Sequence, residues 1–283
     1  MFFRRFIKAL LPYGIVKLLG KSHNDSSWGY IGSYESMSIA KKYASGYNAE
    51  NIIQKVLSAT QQVIDGKACY ERDSVLFYRK ERHHSLVSCL YRIAMENNGE
   101  LHVLDFGGAL GSSFWQNREI LQNVVKHFSW HIVEQENFYK ASQTLSYDAP
   151  LFFHKTIQEA LNAEKRINVV LLSSVLQYVD EPEKILAQIE NIDYVIIDRH
   201  PEFLELEQAV FSVQYVKEPI YNASYALKIW GKDELKKILL KKYSLLDEWT
   251  STLDGIQLLE IEKGCVAQIH DCGMFLRKNK FRD

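Results

Sequence analysis

The sequence predicts a doubly wound α/β fold, a largely parallel sheet with helices on both faces, and three observations carry that prediction. Short apolar runs at 101–106, 130–133, 151–154, 167–172 and 194–198 alternate with helix-patterned segments, the rhythm of βαβ units with right-handed crossovers. The first run passes directly into Gly107-Gly108-Ala109-Leu110-Gly111 and then a helix from Ser112, an arrangement that brings backbone amides up to an anionic group. Finally, Asp105, Glu134, His154, Ser173 and Asp198 all stand at the carboxyl ends of these runs, where open α/β sheets bind ligands.

Taken in order, residues 1–21 form an amphipathic segment in which Phe2, Phe3, Phe6, Ile7, Leu10 and Leu11 are interspersed with Arg4, Arg5, Lys8 and Lys17. The two lysines and Pro12 interrupt it, so it falls short of the roughly 20 apolar residues that cross a bilayer. No small-residue cleavage site follows Gly20. Two readings stay open: a helix packed on its own domain, and an interfacial segment in peripheral contact with a membrane. Residues 22–29 read as a polar linker, and 22–98 as a mainly helical lid or substrate wall. The sheet domain is expected over 99–283.

The glycine loop needs closer reading. A dinucleotide fingerprint requires glycine two residues before Gly108, and Phe106 stands there. An acid at the strand end followed by Gly107 and Gly111 is instead similar to the first motif of class I S-adenosylmethionine-dependent methyltransferases. Candidate cofactor-binding residues are therefore Asp105, Gly107, Gly108 and Gly111, although glycine after a core strand is also ordinary turn chemistry. Glu134 lies 23 positions beyond Gly111, near the offset of an acid that accepts from both ribose hydroxyls; Gln135 stands beside it. His154 falls where an adenine edge would lie. Ser173 opens the segment to Pro182, which resembles the methyltransferase stretch that packs under the cofactor before a new helix.

Composition sets the outer limits. With 283 residues and 47% hydrophobic content, the chain has ample material for a core. A net charge of -1 and the lack of a lysine-rich block argue against a sequence-independent hold on nucleic acid. Cys69, Cys89, Cys265 and Cys272 are too dispersed for a disulfide scaffold, which points to a reducing, cytoplasmic setting. Cys265, His270 and Cys272 lack a fourth ligand in a paired motif, so no metal is expected.

Further residues carry a closer likeness. Val195-Ile196-Ile197-Asp198-Arg199, Gln214, Ile220-Tyr221-Asn222-Ala223-Ser224-Tyr225 and Trp230 resemble a family of bacterial class I methyltransferases associated with surface-polysaccharide (lipopolysaccharide or O-antigen) functions. The stretch from Trp28 to Tyr47 and Arg72-Asp73 resemble the same family. His200 and Ala226 stand where that family commonly has a small residue or threonine and a proline. The resemblance covers most of the chain after residue 25. It implies a doubly wound Rossmann-like class I methyltransferase sheet with a helical N-terminal extension, S-adenosyl-L-methionine as cofactor, and a small-molecule or glycan acceptor.

If the acceptor is a sugar hydroxyl, a general base assists. His200 is the first candidate, because an imidazole titrates near neutrality and this one follows the fifth run. Asp198 is the second, and Tyr225 a further catalytic candidate; Arg199 and Tyr221 are candidates for holding the acceptor. Two other readings stand beside this one. A Rossmann-type oxidoreductase or epimerase is opposed by Phe106 and by the lack of a Tyr-x-x-x-Lys helix after the loop. In the other, the fold is a non-catalytic recruitment module.

Overall fold

The structure is a computed structural model that describes residues 29–46, 50–251 and 255–279. The amphipathic segment 1–21, Trp28 and Tyr47 lie outside the described residues. Strand β1 (Gly29–Tyr34) leads to α1 (Met37–Ala40) and α2 (Glu50–Ile64); a tight hairpin of β2 (Tyr70–Arg72) and β3 (Val75–Phe77) precedes α3 (His84–Glu96). An alternating series follows: β4 (Glu100–Phe106), α4 (Ser112–Gln122), β5 (His127–Val133), α5 (Glu136–Ser142), β6 (Leu151–His154), α6 (Ile157–Ala163), β7 (Val169–Ser173), α7 (Pro182–Gln188) and β8 (Tyr194–Phe203). The last elements are β9 (Val210–Val216), β10 (Ala223–Ile229), α8 (Glu234–Leu239), β11 (Tyr243–Thr250), β12 (Gln257–Glu262) and β13 (Cys265–Lys278).

The main sheet has the order β11-β13-β8-β7-β4-β5-β6, with β12 added on β13. Strands β4 to β8 are mutually parallel, whereas β13 runs antiparallel to both β8 and β11. A reversed strand inserted beside the fifth parallel one completes a doubly wound, Rossmann-like sheet. The parallel strands read as continuous apolar runs because both faces are covered. Leu101, Val103, Trp130, Ile132 and Ile196 pack with α3 and α4 on one face; Leu104, Val170, Leu172, Val195 and Ile197 pack under α6 to α8 on the other. Helix starts follow local chemistry. Thr156 caps α6 by accepting from the Glu159 amide at 3.1 Å, and Pro182 opens α7.

Among its described residues the region 22–98 is a mainly helical extension with three α-helices, and short strands accompany them. β1 pairs antiparallel with β9, and β10 completes a three-stranded sheet drawn from both sides of the expected boundary at residue 98. Tyr30, Ile31 and Tyr34 supply β-forming side chains, yet the partner strand is about 180 residues away, a pairing that local periodicity cannot display.

β8 departs from regular pairing at one point. Cys272 of β13 faces His200 while Met274 faces Ile197, so Gly273 opposes both Asp198 and Arg199. This β-bulge places Arg199 at φ 50° and interrupts the in-out alternation of side chains.

Candidate functional site

At the carboxyl end of β4 the chain turns through Gly107 (φ 74°), Gly108, Ala109 (φ 50°) and Gly111 (φ 96°) before α4 begins. A Cβ on Gly107 would lie 2.4 Å from Val175, and one on Gly108 would lie 2.6 Å from the Asp105 carboxylate. A side chain at either position therefore forces the packed neighbour to shift. Gly111 is the N-cap of α4 and offers no side chain to its first turn, which leaves those amides to other acceptors.

Glu134 holds this loop. One carboxylate oxygen accepts the Ala109 amide at 3.0 Å and the other accepts the Gln135 amide at 2.8 Å. Burial raises its pKa, and the two amides oppose that shift. Each oxygen keeps a second lone pair for another donor. Asp105 lies beneath Gly108, accepts from Trp130 Nε1 at 3.0 Å, and is pushed up to about 7 by burial. Its role is support from below. Gln135 is the exposed N-cap of α5, and its backbone rather than its side chain meets Glu134.

A second cluster sits at the ends of β7 and β8. Asp198 is buried; its Oδ2 accepts from Ser173 Oγ at 3.1 Å, and the Arg199 guanidinium donates to the same Ser173 hydroxyl at 3.3 Å. His83, the N-cap of α3, presents Nε2 at 3.2 Å from Asp198 Oδ1. That contact is short but poorly aligned, so Oδ1 lacks a fully formed hydrogen bond. His83 Nδ1 accepts the Leu86 amide at 3.1 Å, which puts the proton of the neutral ring on Nε2, facing the carboxylate. Burial alone would push the Asp198 carboxyl up, but His83, Arg199 and Ser173 together outweigh it and hold the group below its ordinary value.

Backbone strain coincides with these clusters. Ala109, Ser174 and Arg199 are non-glycine residues with φ near 50°, each costing about 1–2 kcal/mol. All three lie at the carboxyl edge of the sheet.

A third cluster is aromatic. Tyr221 and Tyr225 are buried edge to face at 6.4 Å, and Tyr178 meets Tyr225 at 5.9 Å. They pack in one cluster with Leu110 of the loop and with Ile52 and Val56 of α2. Tyr178 donates to Gln214 Oε1 at 2.6 Å, tying the segment after β7 to β9. Burial raises the Tyr225 hydroxyl well above its ordinary value.

Two expected residues are directed elsewhere. The bulge at Arg199 turns His200 to the face opposite Asp198, where it packs against Trp230 at 5.2 Å, buried and with Nε2 unbonded. Burial lowers it to about 3, so His200 is a neutral core imidazole and does not reach the cluster as a base. His154 contributes its backbone carbonyl to the Glu134 amide at 3.1 Å, but its ring stacks on His131 and bonds it at 3.0 Å on the far face. There His102, Ser129, His131 and His154 form a hydrogen-bonded row along a cavity of about 510 Å³ on the α6 face.

Sequence reading passed over His83 and Tyr178 as site residues. The His83-His84 pair ahead of an apolar helix was the available signal for the first. Among the described residues no three of His, Cys, Asp or Glu converge in metal-binding geometry. Likewise, no described helix is long and apolar enough to cross a membrane.

No protein-family model matches the sequence, and no curated protein matches it. Solved structures resemble it at low identity. The N-terminal domain of EvdMO1 with SAH bound is 13% identical, covers 80% of this chain and 97% of its own, and gives a TM-score of 0.42. The glycopeptide N-methyltransferase MtfA complexed with sinefungin is 10% identical over 67% of this chain and 85% of its own, with a TM-score of 0.44. The N-methyltransferase NodS from Bradyrhizobium japonicum, with S-adenosyl-L-homocysteine, is 10% identical over 78% and 99%, with a TM-score of 0.40. Likeness of this degree carries nothing about cofactor or acceptor.

Proposed function

We propose that this chain is an S-adenosylmethionine-dependent methyltransferase acting on an oxygen of a cell-surface glycan sugar or its precursor. The observation that carries the cofactor class is Glu134, a buried acid at the end of β5 gripping the left-handed Ala109 of the glycine loop, in a sheet whose last strand is reversed. The residues present fit the group. The remaining lone pairs of Glu134 suit ribose hydroxyls, and the first-turn amides of α4 are uncapped by any side chain. Bound S-adenosylmethionine supplies an electrophilic methyl carbon, which leaves the protein to align the acceptor and remove its proton.

Asp198 is the group for the proton. Its neighbours hold its pKa below the ordinary value, and Oδ1 carries no fully formed hydrogen bond. His83 does not suit that task, since its Nδ1 already accepts an amide and its Nε2 proton faces Asp198. It keeps Asp198 charged. Arg199 is placed to meet an anionic group of the acceptor, and Tyr178, Tyr221 and Tyr225 supply ring faces of the kind that pack against a sugar. The sugar acceptor draws support from the resemblance of the Asp198-Arg199 and Ile220–Tyr225 motifs to surface-polysaccharide methyltransferases. The proposal includes a cytoplasmic setting, with residues 1–20 as a candidate peripheral contact at the inner face of a membrane.

The experiment is an acceptor screen with radiolabelled S-adenosylmethionine and nucleotide-linked or lipid-linked sugars. Label transfer that is lost in Asp198→Asn supports the reading. Hydride exchange with a nicotinamide cofactor, or no cofactor binding at all, turns it toward the oxidoreductase or the recruitment module.

A further inference from the structure

Parallel sheets are ordinarily covered on both faces, yet one corner of this sheet is not. The α6 side of β4, β5 and β6 carries His102, Ser129, His131 and His154 in place of apolar side chains. Helix α6 is only seven residues long, and a cavity of about 510 Å³ lies over these side chains. Lys126, His127 and Pro150, at the amino ends of β5 and β6, also line it. It therefore extends away from the carboxyl edge that holds Glu134 and the glycine loop, and no step of the proposed reaction uses it.

The hydrogen bonds beneath the cavity have one direction. The Glu100 carboxylate can only accept, so His102 donates to it from Nε2 at 3.0 Å and accepts the Ser129 hydroxyl at Nδ1, at 2.7 Å. Ser129 Oγ then accepts His131 Nε2–H at 3.0 Å, and His131 Nδ1 accepts His154 Nε2–H at 3.0 Å. His131 is thus a neutral ring, and burial lowers it to about 4.

This neutral ring is the middle of a stack. His154 lies on one side of it, and Phe152 stacks on it with centroids 5.0 Å apart and planes at 22°. Phe152 is 47% exposed, so the stack ends at the surface on an open phenyl ring. Both acids beside the cavity are engaged: Glu164 accepts from Arg166 at 3.0 Å, and Glu100 accepts from His102 and from the same guanidinium at 3.5 Å. Lys126 forms no ion pair among the described residues. A cavity of this size, with buried polar side chains converging on it, has the character of a small-molecule site.

We infer that this cavity is a second binding site, for a small aromatic anion of the nucleoside-monophosphate class. The base extends the stack on Phe152, and the phosphate meets the Lys126 ammonium. The site owes nothing to the groups at the carboxyl edge.

The test is a titration of the full chain with adenosine and uridine monophosphates, the two nucleosides and inorganic phosphate, read by calorimetry and by the ring resonances of the histidines. At least one monophosphate is expected to bind about tenfold or more tightly than its nucleoside and than phosphate, and to move the His131 and His154 resonances. Phe152→Ala and Lys126→Glu, both at exposed positions, are each expected to weaken it at least about tenfold with the unfolding transition unmoved. Excess S-adenosylhomocysteine is expected to leave this binding in place. No binding of either monophosphate, affinity matched by phosphate alone, binding that both variants keep, or displacement by S-adenosylhomocysteine overturns the site.

Discussion

His83 Nε2 lies 3.2 Å from Asp198 Oδ1, linking the N-cap of a helix outside the sheet to a buried acid at the end of β8. The Leu86 amide fixes the ring from the other side. Trp249 packs edge-on against His83 at 6.3 Å and lies over Gly273, the bulge residue opposite Asp198 and Arg199. The bulge, the helix cap and the acid thus form one unit.

His83→Asn tests the electrostatic half of that unit. Asparagine is a good N-cap and keeps an acceptor for the Leu86 amide, but its side chain is too short to face Asp198. The Asp198 pKa then rises, so the acid limb of kcat/KM moves to higher pH while the fold stays intact. An unmoved limb shows that His83 does not tune the acid.

Asp198→Asn removes the proposed proton acceptor with little change of shape. Turnover is expected to fall by about 10²- to 10⁴-fold, the range for a general base, while S-adenosylhomocysteine affinity changes little. Single-turnover kinetics beside calorimetry separate the two effects.

His200→Leu carries the opposite expectation. The imidazole is buried with Nε2 unbonded, and replacing an unsatisfied polar group by an apolar one is often neutral or stabilising. Turnover should stay within about threefold of wild type, whereas a catalytic base would lose at least 10².

This residue also shows where the sequence was legible and where it was not. Strand ends were readable because apolar runs stop where polar residues begin: Ser173 and Asp198 are paired in the β7–β8 register, as two neighbouring strand ends should be. Leu151–His154 coincides with β6, and the glycine loop lies where its pattern placed it. The face on which a side chain emerges was not readable at His200, because one extra residue at the Arg199 bulge inverts everything after it. His154 failed for a related reason. Its position on the strand was right, but its ring belongs to the His131 side. His83 reaches the site across a long sequence separation that no local pattern reports.

Gly107→Ala tests the loop. At φ 74°, with Val175 2.4 Å from the new methyl group, alanine faces both backbone strain and overpacking, a loss of about 1–3 kcal/mol. The expected result is a lowered Tm together with loss of cofactor binding. Unchanged values for both contradict the packed loop.

The dependence of stability on pH follows from the buried acids. Glu71 and Asp105 are raised from ordinary carboxylate values to about 7, so the folded state binds more protons than the unfolded state between those limits. Their contribution is present at low pH and is lost as pH rises through 7. Asp198, held below its ordinary value, acts in reverse and loses its contribution as pH falls. Buried His131 and His200, lowered to about 4 and about 3, act in the opposite sense up to about pH 6.5, so the Tm of the cofactor-free protein should decline above that pH, and less steeply in Glu71→Gln. A decline no steeper in the wild type than in Glu71→Gln contradicts the burial of Glu71.

The central claim is the cofactor, and calorimetric titration of the wild type and of Glu134→Ala with S-adenosylmethionine and with NADH tests it most directly. The account predicts binding of S-adenosylmethionine, competition by S-adenosylhomocysteine, no response to NADH, and a loss of at least about tenfold in the variant. Binding of NADH, or S-adenosylmethionine affinity indifferent to Glu134, would contradict it.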